Sequence, residues 1–590
     1  MRHIKYFYKV YSKYLSGGVW WLLVITIFVA IADGLGISML LPLLETLNVN
    51  GSADGEDNIL FQLSESIGIL GSLQGILTFI FLVFLGKAAL KYAAGYYKSN
   101  LYKELYRQLK LRLYDSVLNV DYQYFSKKNT GHFITVMEMH VNRMVRSFDL
   151  FINVVTASVM AISYLLVAGV ISWQVSAMAM VLGLVIFGFF TILNKYVRRL
   201  SQQISEEEKR MNQVAVQALH AFKYIVSTCS YGPIQKQYEN SIRRITQLQF
   251  KTKLASAFTG SAQELLAVGL LIAMILIEVL LLGQPIGAVF VILLLFYRGV
   301  NQMLGLLQNY QDLVALQGYV ESVDAEMELL NEHRVSESEF LVPVSGNALN
   351  LSFKDVTYRY SDSNTDVIKK LSIEIKPNTT IALVGASGSG KTTLVDLITG
   401  LLRPESGQIE VAGTNLNQTN ISTWRKKIGY VSQDLTIFDD TVANNISMFQ
   451  DDVSPDKIEE AAKLASAHEF ILELPHGYNS RIGDKGIRLS GGQKQRLFIA
   501  RELYKQPELL ILDEATSALD SQSEQFIKHS IDQLHGKMTV IIIAHRLSTI
   551  KDVDFIYVMQ KGEIIESGRF EELVDNAESA FNDMVELQNL

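Results

Sequence analysis

The sequence predicts a membrane protein of two parts, a transmembrane domain of six α-helices followed by an α/β domain of the P-loop kind. Three observations carry that expectation. Long apolar runs recur before residue 330, polar and apolar residues alternate at strand and helix periods after residue 350, and a glycine-rich stretch at 385–393 joins a strand pattern to a helix pattern. With 590 residues and 49% hydrophobic composition, the chain is too long for one domain and too apolar for an ordinary soluble enzyme. The net charge of -7 offers no basic footprint for a nucleic-acid backbone, so nucleic acid is not an expected partner. The one cysteine, Cys229, excludes an intrachain disulfide and suits a reducing compartment, with structural filler as its expected role.

Residues 2–15 place Ile4, Phe7, Tyr8, Tyr11 and Leu15 at helical spacing, with Lys5, Lys9 and Lys13 on a separate stripe. That pattern predicts an amphipathic helix lying in the inner membrane interface, and Trp20 and Trp21 follow where an aromatic belt marks membrane entry. Spans of the ~20 residues that a bilayer requires are expected near 19–45, 72–98, 147–171, 175–194, 262–283 and 286–309. The windows 14–86, 147–194 and 254–297 contain no Lys or Arg, and each holds two spans with the loop between them. Basic residues crowd the other segments, such as Lys103 to Arg112 and Lys195 to Arg210, which assigns those segments and both termini to the cytoplasmic side of a plasma membrane. The outer loop 48–71 is then acidic, with Asp54, Glu56, Asp57 and Glu65, and the outer turns at 172–174 and 283–285 are short.

The segments between spans 2 and 3 and between spans 4 and 5 carry no glycine- or proline-rich linker, so the spans are expected to continue as long helices beyond the membrane. Non-periodic turns at 121–126 and 227–232 close these two hairpins. Charges inside the spans each cost roughly 3 kcal/mol at the bilayer centre unless they face protein or water. Asp33, Lys87, Glu264, Glu278 and Arg298 are of this kind. Lys87 and Arg298 lie in the inner or middle part of their spans and suit a water-filled cavity lined by cations; Glu264 either pairs with one of them or joins them at a substrate. A polar linker over 331–349 separates a transmembrane domain at 1–330 from the α/β domain at 350–590.

In the second domain, the apolar run Ile381 to Val384 feeds Gly385-Ala386-Ser387-Gly388-Ser389-Gly390-Lys391-Thr392-Thr393, and a helical pattern continues to Thr399. Strand, glycine loop and helix in that order make G-x-x-x-x-G-K-[ST] a phosphate-binding loop. Its backbone N–H groups curl around phosphates, Lys391 neutralises the β- and γ-oxygens, and the Thr392 hydroxyl reaches Mg²⁺. Some twenty-five residues earlier, Val356-Thr-Tyr358-Arg-Tyr360 ends a strand where Tyr360 can stack on adenine, with Tyr358 expected on the other face. Downstream come Gln433, then Leu489-Ser490-Gly491-Gly492-Gln493, then the apolar strand Leu509 to Leu512 running into Asp513-Glu514. Ser517-Ala518-Leu519-Asp520 follows, and Val540 to Ala544 ends in His545. At a strand end Asp513 can hold Mg²⁺ through its water shell, Glu514 can polarise the attacking water, and His545 can contact the γ-phosphate.

This order of motifs resembles that of the ATP-binding cassette (ABC) exporters over nearly the whole chain, and Leu489 to Gln493 placed before a strand ending in Asp-Glu is its most specific feature. The resemblance implies ATP and Mg²⁺ as cofactors, with Gln433 beside Thr392 and Asp513 at the metal and Asp520 in the ATP site. It also implies that Ser490, Gly491, Gly492 and Gln493 of one cassette cover the ATP held by Gly385 to Thr393 of another. A chain with one cassette and six spans is then a half-transporter that works as a homodimer with two hydrolytic sites. One departure stands at Asp484, where the family usually has a Glu.

Among the exporters, Ile37 to Pro42, Lys87 to Tyr92, Glu264 and Tyr297-Arg298 are similar to residues of the bacterial flippases of lipid-linked oligosaccharides. The implied activity is ATP-driven, alternating-access transport of such an amphipathic lipid or glycolipid across a bacterial inner membrane, with Lys87, Arg298 and Glu264 at the substrate. Export of a small modified peptide, or of another lipid- or drug-like compound, is the alternative on the same scaffold. An ATP-gated channel or a regulatory subunit is less favoured, because Glu514 and Gly491-Gly492-Gln493 are intact.

Overall fold

The computed structural model describes residues 2–15, 17–40, 43, 73–128, 130–171, 173–276, 286–335, 349–360, 363–483, 486–513, 521–544, 546, 549–576 and 578–589. By its contacts the chain divides into two units, one of Met1–Val120 and Tyr124–Arg334, the other of Asp121–Gln123 and Val335–Leu590.

The first unit is helical. Its main elements are Arg2–Ser12, Gly18–Ser38, Leu73–Leu118, Val141–Ile171, Trp173–His220, Tyr231–Leu276, Ile286–Ala315 and Gln317–Glu332. Among the described residues, Gly18–Ile37, Leu73–Leu118 and Thr130–Gly169 are long and apolar enough to cross a membrane. The outer loop 48–71, Glu278 and the segment 336–348 lie outside the described residues. At 1.5 Å per residue the Leu73–Leu118 and Trp173–His220 helices run roughly 70 Å, more than twice the ~30 Å of a hydrocarbon core. The uninterrupted helical pattern between expected spans is thus realised as continuous helix. The Gln317–Glu332 helix runs on past residue 330, where the polar linker was expected to begin.

Leu101, Leu105, Leu109 and Leu113, four residues apart, bury one stripe of the Leu73–Leu118 helix in a core shared with Val141, Met144, Val145 and Phe148. The N-terminal helix joins that core, which differs from the expectation. Phe7 and Tyr11 are fully buried, and the Tyr11 ring packs edge-on to Phe148 while its hydroxyl hydrogen-bonds with Ser147 at 2.5 Å. Phe7, Tyr11 and Leu15 of the stripe assigned to lipid are therefore covered by protein, while Tyr8, Trp20 and Trp21 remain exposed. The first expected turn is largely the short helix Tyr122–Lys127, whereas the second follows the short helix Phe222–Ser227 and contains a turn at 228–230 before the Tyr231–Leu276 helix begins. Cys229 lies in that turn at φ 52°, exposed, so it serves a helix-ending turn rather than filling a core.

Small residues let the Gly18–Ser38 helix approach its neighbours closely. A Cβ on Gly34 would lie 2.9 Å from Val167, and one on Gly36 would lie 2.8 Å from Phe84. Asp33 is brought between the same two helices.

The second unit is α/β. An antiparallel sheet of order β2-β1-β4-β5 comprises Ile368–Ile375, Leu351–Tyr358, Ser406–Val411 and Thr414–Asn415. A second sheet has the order β10-β9-β3-β8-β7-β6, with β3 at Thr380–Val384, β6 at Ile428–Val431, β7 at Leu509–Asp513, β8 at Thr539–Ile543, β9 at Phe555–Gln560 and β10 at Glu563–Gly568. Strands β9, β3, β8, β7 and β6 run parallel and β10 closes the edge antiparallel. Side chains alternate across each central strand. Ile381, Leu383, Leu509, Ile511, Ile541 and Ile543 join the core shared with the antiparallel sheet, whereas Ala382, Val384, Leu510, Leu512, Val540 and Ile542 join the core under the helices. Burial on both faces explains why these strands read as unbroken apolar runs.

Candidate functional site

The register of the six-stranded sheet places the candidate residues along one edge. Leu383 pairs with Ile543 and Ile543 pairs with Asp513, so the three stand in one row, and Val431 pairs with Leu512 one row earlier. The strands are parallel, so the loop starting at Gly385, the segment of Gln433, Asp513 and the chain after Ile543 all emerge at carboxyl ends, where open α/β sheets bind ligands. Glu514, Asp520, His545 and Asp484 lie outside the described residues.

The loop itself is built for close backbone approach. Gly385, Gly388 and Gly390 have φ of 155°, 78° and 109°. A Cβ on Gly385 would meet the Met559 carbonyl oxygen at 2.2 Å, so no other residue fits there. Gly390 precedes the helix Lys391–Ile398 without a side-chain cap, leaving its first N–H groups for a ligand. The Lys391 ammonium donates to the Gly385 and Ala386 carbonyls at 2.8 and 3.0 Å, and the buried Ser389 Oγ has no hydrogen-bond partner among the described residues. A cradle of N–H groups, a lysine at its centre and an orphaned hydroxyl together fit a phosphate chain.

Thr392 is exposed on the first turn of that helix, and Thr393 is buried. The Tyr360 hydroxyl lies 3.2 Å from Thr393 Oγ1, which sets its exposed ring beside the loop. Tyr358 corrects the expectation that alternation separates the two tyrosines, since residues two apart in a strand share a face. They differ because β1 ends at Tyr358: that ring is buried in the core, and Tyr360 stands beyond the strand with its ring edge-on at 5.1 Å.

Asp513 is buried and accepts a hydrogen bond from the Tyr430 hydroxyl at 3.3 Å. Beside it, burial and then the Asp513 charge push the Asp396 carboxyl up to about 6, and burial followed by Asp513 also raises Tyr430. This electronegative corner suits a divalent cation. The Thr392 hydroxyl, Gln433 amide and Asp513 carboxylate are hard oxygen donors of the kind that hold Mg²⁺ together with substrate phosphates.

Ser490 caps the helix Gly491–Tyr504 through a reciprocal pair of bonds, Gln493 N–H donating to Ser490 Oγ at 3.2 Å and Ser490 N–H donating to Gln493 Oε1 at 2.9 Å. Gly491 is exposed at the helix start and Gly492 is buried. On the same helix, a residue that sequence reasoning passed over ties this region to the segment after Gln433. The buried Arg501 donates to the Thr436 carbonyl at 2.7 Å and to the Asn445 carbonyl and side-chain oxygen at 2.7 and 2.9 Å. Its only sequence signal is an arginine directly after the apolar run Leu497 to Ala500.

In the first unit, one buried carboxylate gathers four helices. Asp33 Oδ1 accepts from Lys87 Nζ and from Arg298 Nη1, the latter at 2.8 Å, and Oδ2 accepts from the Tyr164 hydroxyl. These groups border a cavity of about 350 Å³ that Lys91 and Gln302 also line. Lys87 and Arg298 thus come together as expected, on the Asp33 carboxylate. Glu264 lies on the Tyr231–Leu276 helix with its side chain outside the described residues, and among the described residues the partner of both cations is Asp33.

Two family models match the chain, the ABC transporter transmembrane region at residues 19–302 and the ABC transporter model at residues 368–517. The heterocyst differentiation ATP-binding protein HepA of Nostoc sp. is 32% identical over 489 residues, 83% of this chain and 80% of its own. The ATP-dependent lipid A-core flippase of Coxiella burnetii is 30% identical, covering 84% of each chain, and that of Pasteurella multocida is 31% identical, covering 92% of this chain and 91% of its own. The solved structure of a bacterial Atm1-family ABC exporter with ATP bound matches in fold with a TM-score of 0.82 at 21% identity, over 98% of this chain and 100% of that one.

Proposed function

The chain belongs to the ABC transporters, and from that premise we propose that it is an ATP-driven flippase of an anionic amphipathic lipid such as a lipid-linked oligosaccharide. It works as one half of a homodimer in a bacterial inner membrane, with both termini cytoplasmic and with a transmembrane domain at 1–330 joined by 331–349 to a cassette at 350–590. The observation that carries the substrate reading is the membrane cavity, where Lys87, Lys91 and Arg298 outnumber Asp33. The names of the lipid A-core flippase relatives point to the same substrate class.

In the cassette, Gly385 to Thr393 hold the ATP phosphates, Tyr360 stacks on adenine, and Asp520 borders the site. Thr392, Gln433 and Asp513 would hold Mg²⁺, which supplies charge neutralisation at the β- and γ-oxygens when bound. Glu514 orients the attacking water and takes its proton, and His545 contacts the γ-phosphate. Ser490 to Gln493 close the site of the partner copy, so closure of two cassettes on ATP reports to the cavity and hydrolysis releases it.

The test is ATP hydrolysis by the protein in vesicles, titrated with a polyprenyl-diphosphate oligosaccharide, a neutral glycolipid and small peptides. Stimulation by the diphosphate lipid is expected. Arg298→Ala loses that stimulation and Arg298→Lys recovers only part of it, because a guanidinium grips phosphate oxygens with two parallel bonds that an ammonium lacks. Stimulation by a peptide and by no glycolipid overturns the substrate reading.

A further inference from the structure

Asp33 stands in an unusual relation to the cavity it borders. Among the described lining residues, Lys87, Lys91 and Arg298 are cationic and Asp33 alone is acidic. The Asp33 side chain is 4% exposed, whereas those of Lys87 and Arg298 are 18% and 36% exposed. The carboxylate therefore sits behind the two cations. An anion entering the cavity meets the more exposed ammonium and guanidinium before the acid.

The carboxylate is also fixed from every side. Its two oxygens are held by groups from the Leu73–Leu118, Ile286–Ala315 and Val141–Ile171 helices, while Asp33 itself belongs to Gly18–Ser38. Charge and geometry have separable consequences here. The hydrogen bonds hold the two cationic heads together at one point, and the negative charge cancels one of the three positive charges that an incoming phosphate would feel. Such cancellation weakens the grip on an anion.

We propose that Asp33 is a positioning residue that sets how tightly this cavity holds a phosphate-bearing lipid headgroup, fixing Lys87 and Arg298 for contact while lowering the net charge so that the headgroup can leave. The inference rests on the anionic-lipid reading above. A site that must release its cargo each cycle gains nothing from maximal affinity, and a permanent counter-charge behind the binding cations is a structural way to limit it.

The experiment compares the full-length wild-type protein with Asp33→Asn, measuring binding of a polyprenyl diphosphate and of the polyprenol of equal chain length by native mass spectrometry. Asparagine keeps the shape and an acceptor oxygen and removes the charge. The wild type should prefer the diphosphate, and Asp33→Asn should bind it about tenfold more tightly, with polyprenol binding unchanged. In vesicles the same variant should reach half-maximal stimulation of hydrolysis at lower diphosphate lipid but with a lower maximum, and Asp33→Glu should stay near wild type. Damage to the fold does not tighten binding of one ligand selectively. Unchanged or weaker diphosphate binding by Asp33→Asn, with the wild-type preference intact, overturns the role of Asp33 and leaves the anionic-lipid reading standing. A wild type that binds both lipids equally overturns that reading and this inference with it. If Asp33→Asn does not fold, Lys91→Gln runs the charge argument in reverse: it should weaken diphosphate binding, and no change would count against the proposal.

Discussion

Tyr360 shows how much a single position depends on where an element ends. Its ring is exposed beside the phosphate loop because β1 stops two residues earlier, and the hydroxyl contact to Thr393 fixes its place. An aromatic ring stacked on a base contributes about 1 to 3 kcal/mol, so Tyr360→Ala should raise the Michaelis constant for ATP by about tenfold and weaken discrimination against GTP, with the maximal rate much less affected. Steady-state hydrolysis at varied ATP and GTP measures this, and a larger effect on nucleotide affinity from Tyr358→Ala would show that the buried ring is the one that matters. Glu514 is assigned from its place after Asp513. If it orients the hydrolytic water, Glu514→Gln should lower turnover on the order of a thousandfold while ATP still binds. Near-normal hydrolysis by that variant would remove Glu514 from its role.

At the scale of elements, the Gln317–Glu332 helix is pinned by one acid. Glu326 is buried, accepts from Lys128 at 2.8 and 3.0 Å and from the Tyr124 hydroxyl at 3.0 Å, and lies 2.9 Å from His132 Nε2. Burial by itself would raise this carboxyl, but the bonds from His132 and Lys128 outweigh it and hold the group at about 2, against an ordinary 4.5. A folded-state value below the unfolded one means that the contribution is fully present above pH 4.5 and is lost as pH falls toward 2. Removing one partner of such a buried cluster costs about 3 kcal/mol. Glu326→Gln should therefore lower the thermal midpoint at neutral pH, and its deficit against wild type should shrink as the pH is taken from 5 toward 3. A deficit that stays constant across that range would mean that the charge of Glu326 contributes nothing. None of this was legible beforehand, because Tyr124, Lys128 and His132 sit in a stretch without periodicity and Glu326 lies about two hundred residues away.

At the scale of the whole molecule, the family implies that each ATP site takes its loop from one copy and Ser490 to Gln493 from the other. Mixing copies that carry Lys391→Ala with copies that carry Ser490→Arg tests that directly. Each variant alone has two broken sites, whereas a mixed dimer has one intact site, so about a quarter of wild-type hydrolysis should return on mixing. No recovery would argue that each cassette completes its own site. The sequence by itself determined the two-part architecture, the phosphate loop and the ABC family, because apolar runs and glycine motifs act within a few residues of one another. Gly385 could be assigned from its neighbours, and the strands before Gly385 and Asp513 from their unbroken apolar character. The tertiary structure alone decided the partners across distance. Asp33 receives Lys87 and Arg298, the N-terminal helix packs Phe7, Tyr11 and Leu15 into a protein core, and Arg501 reaches Asn445 and Thr436. Ion pairs join residues as far apart as Lys13 and Asp324, 311 positions, and which acid meets which cation follows from helix packing that no local pattern encodes.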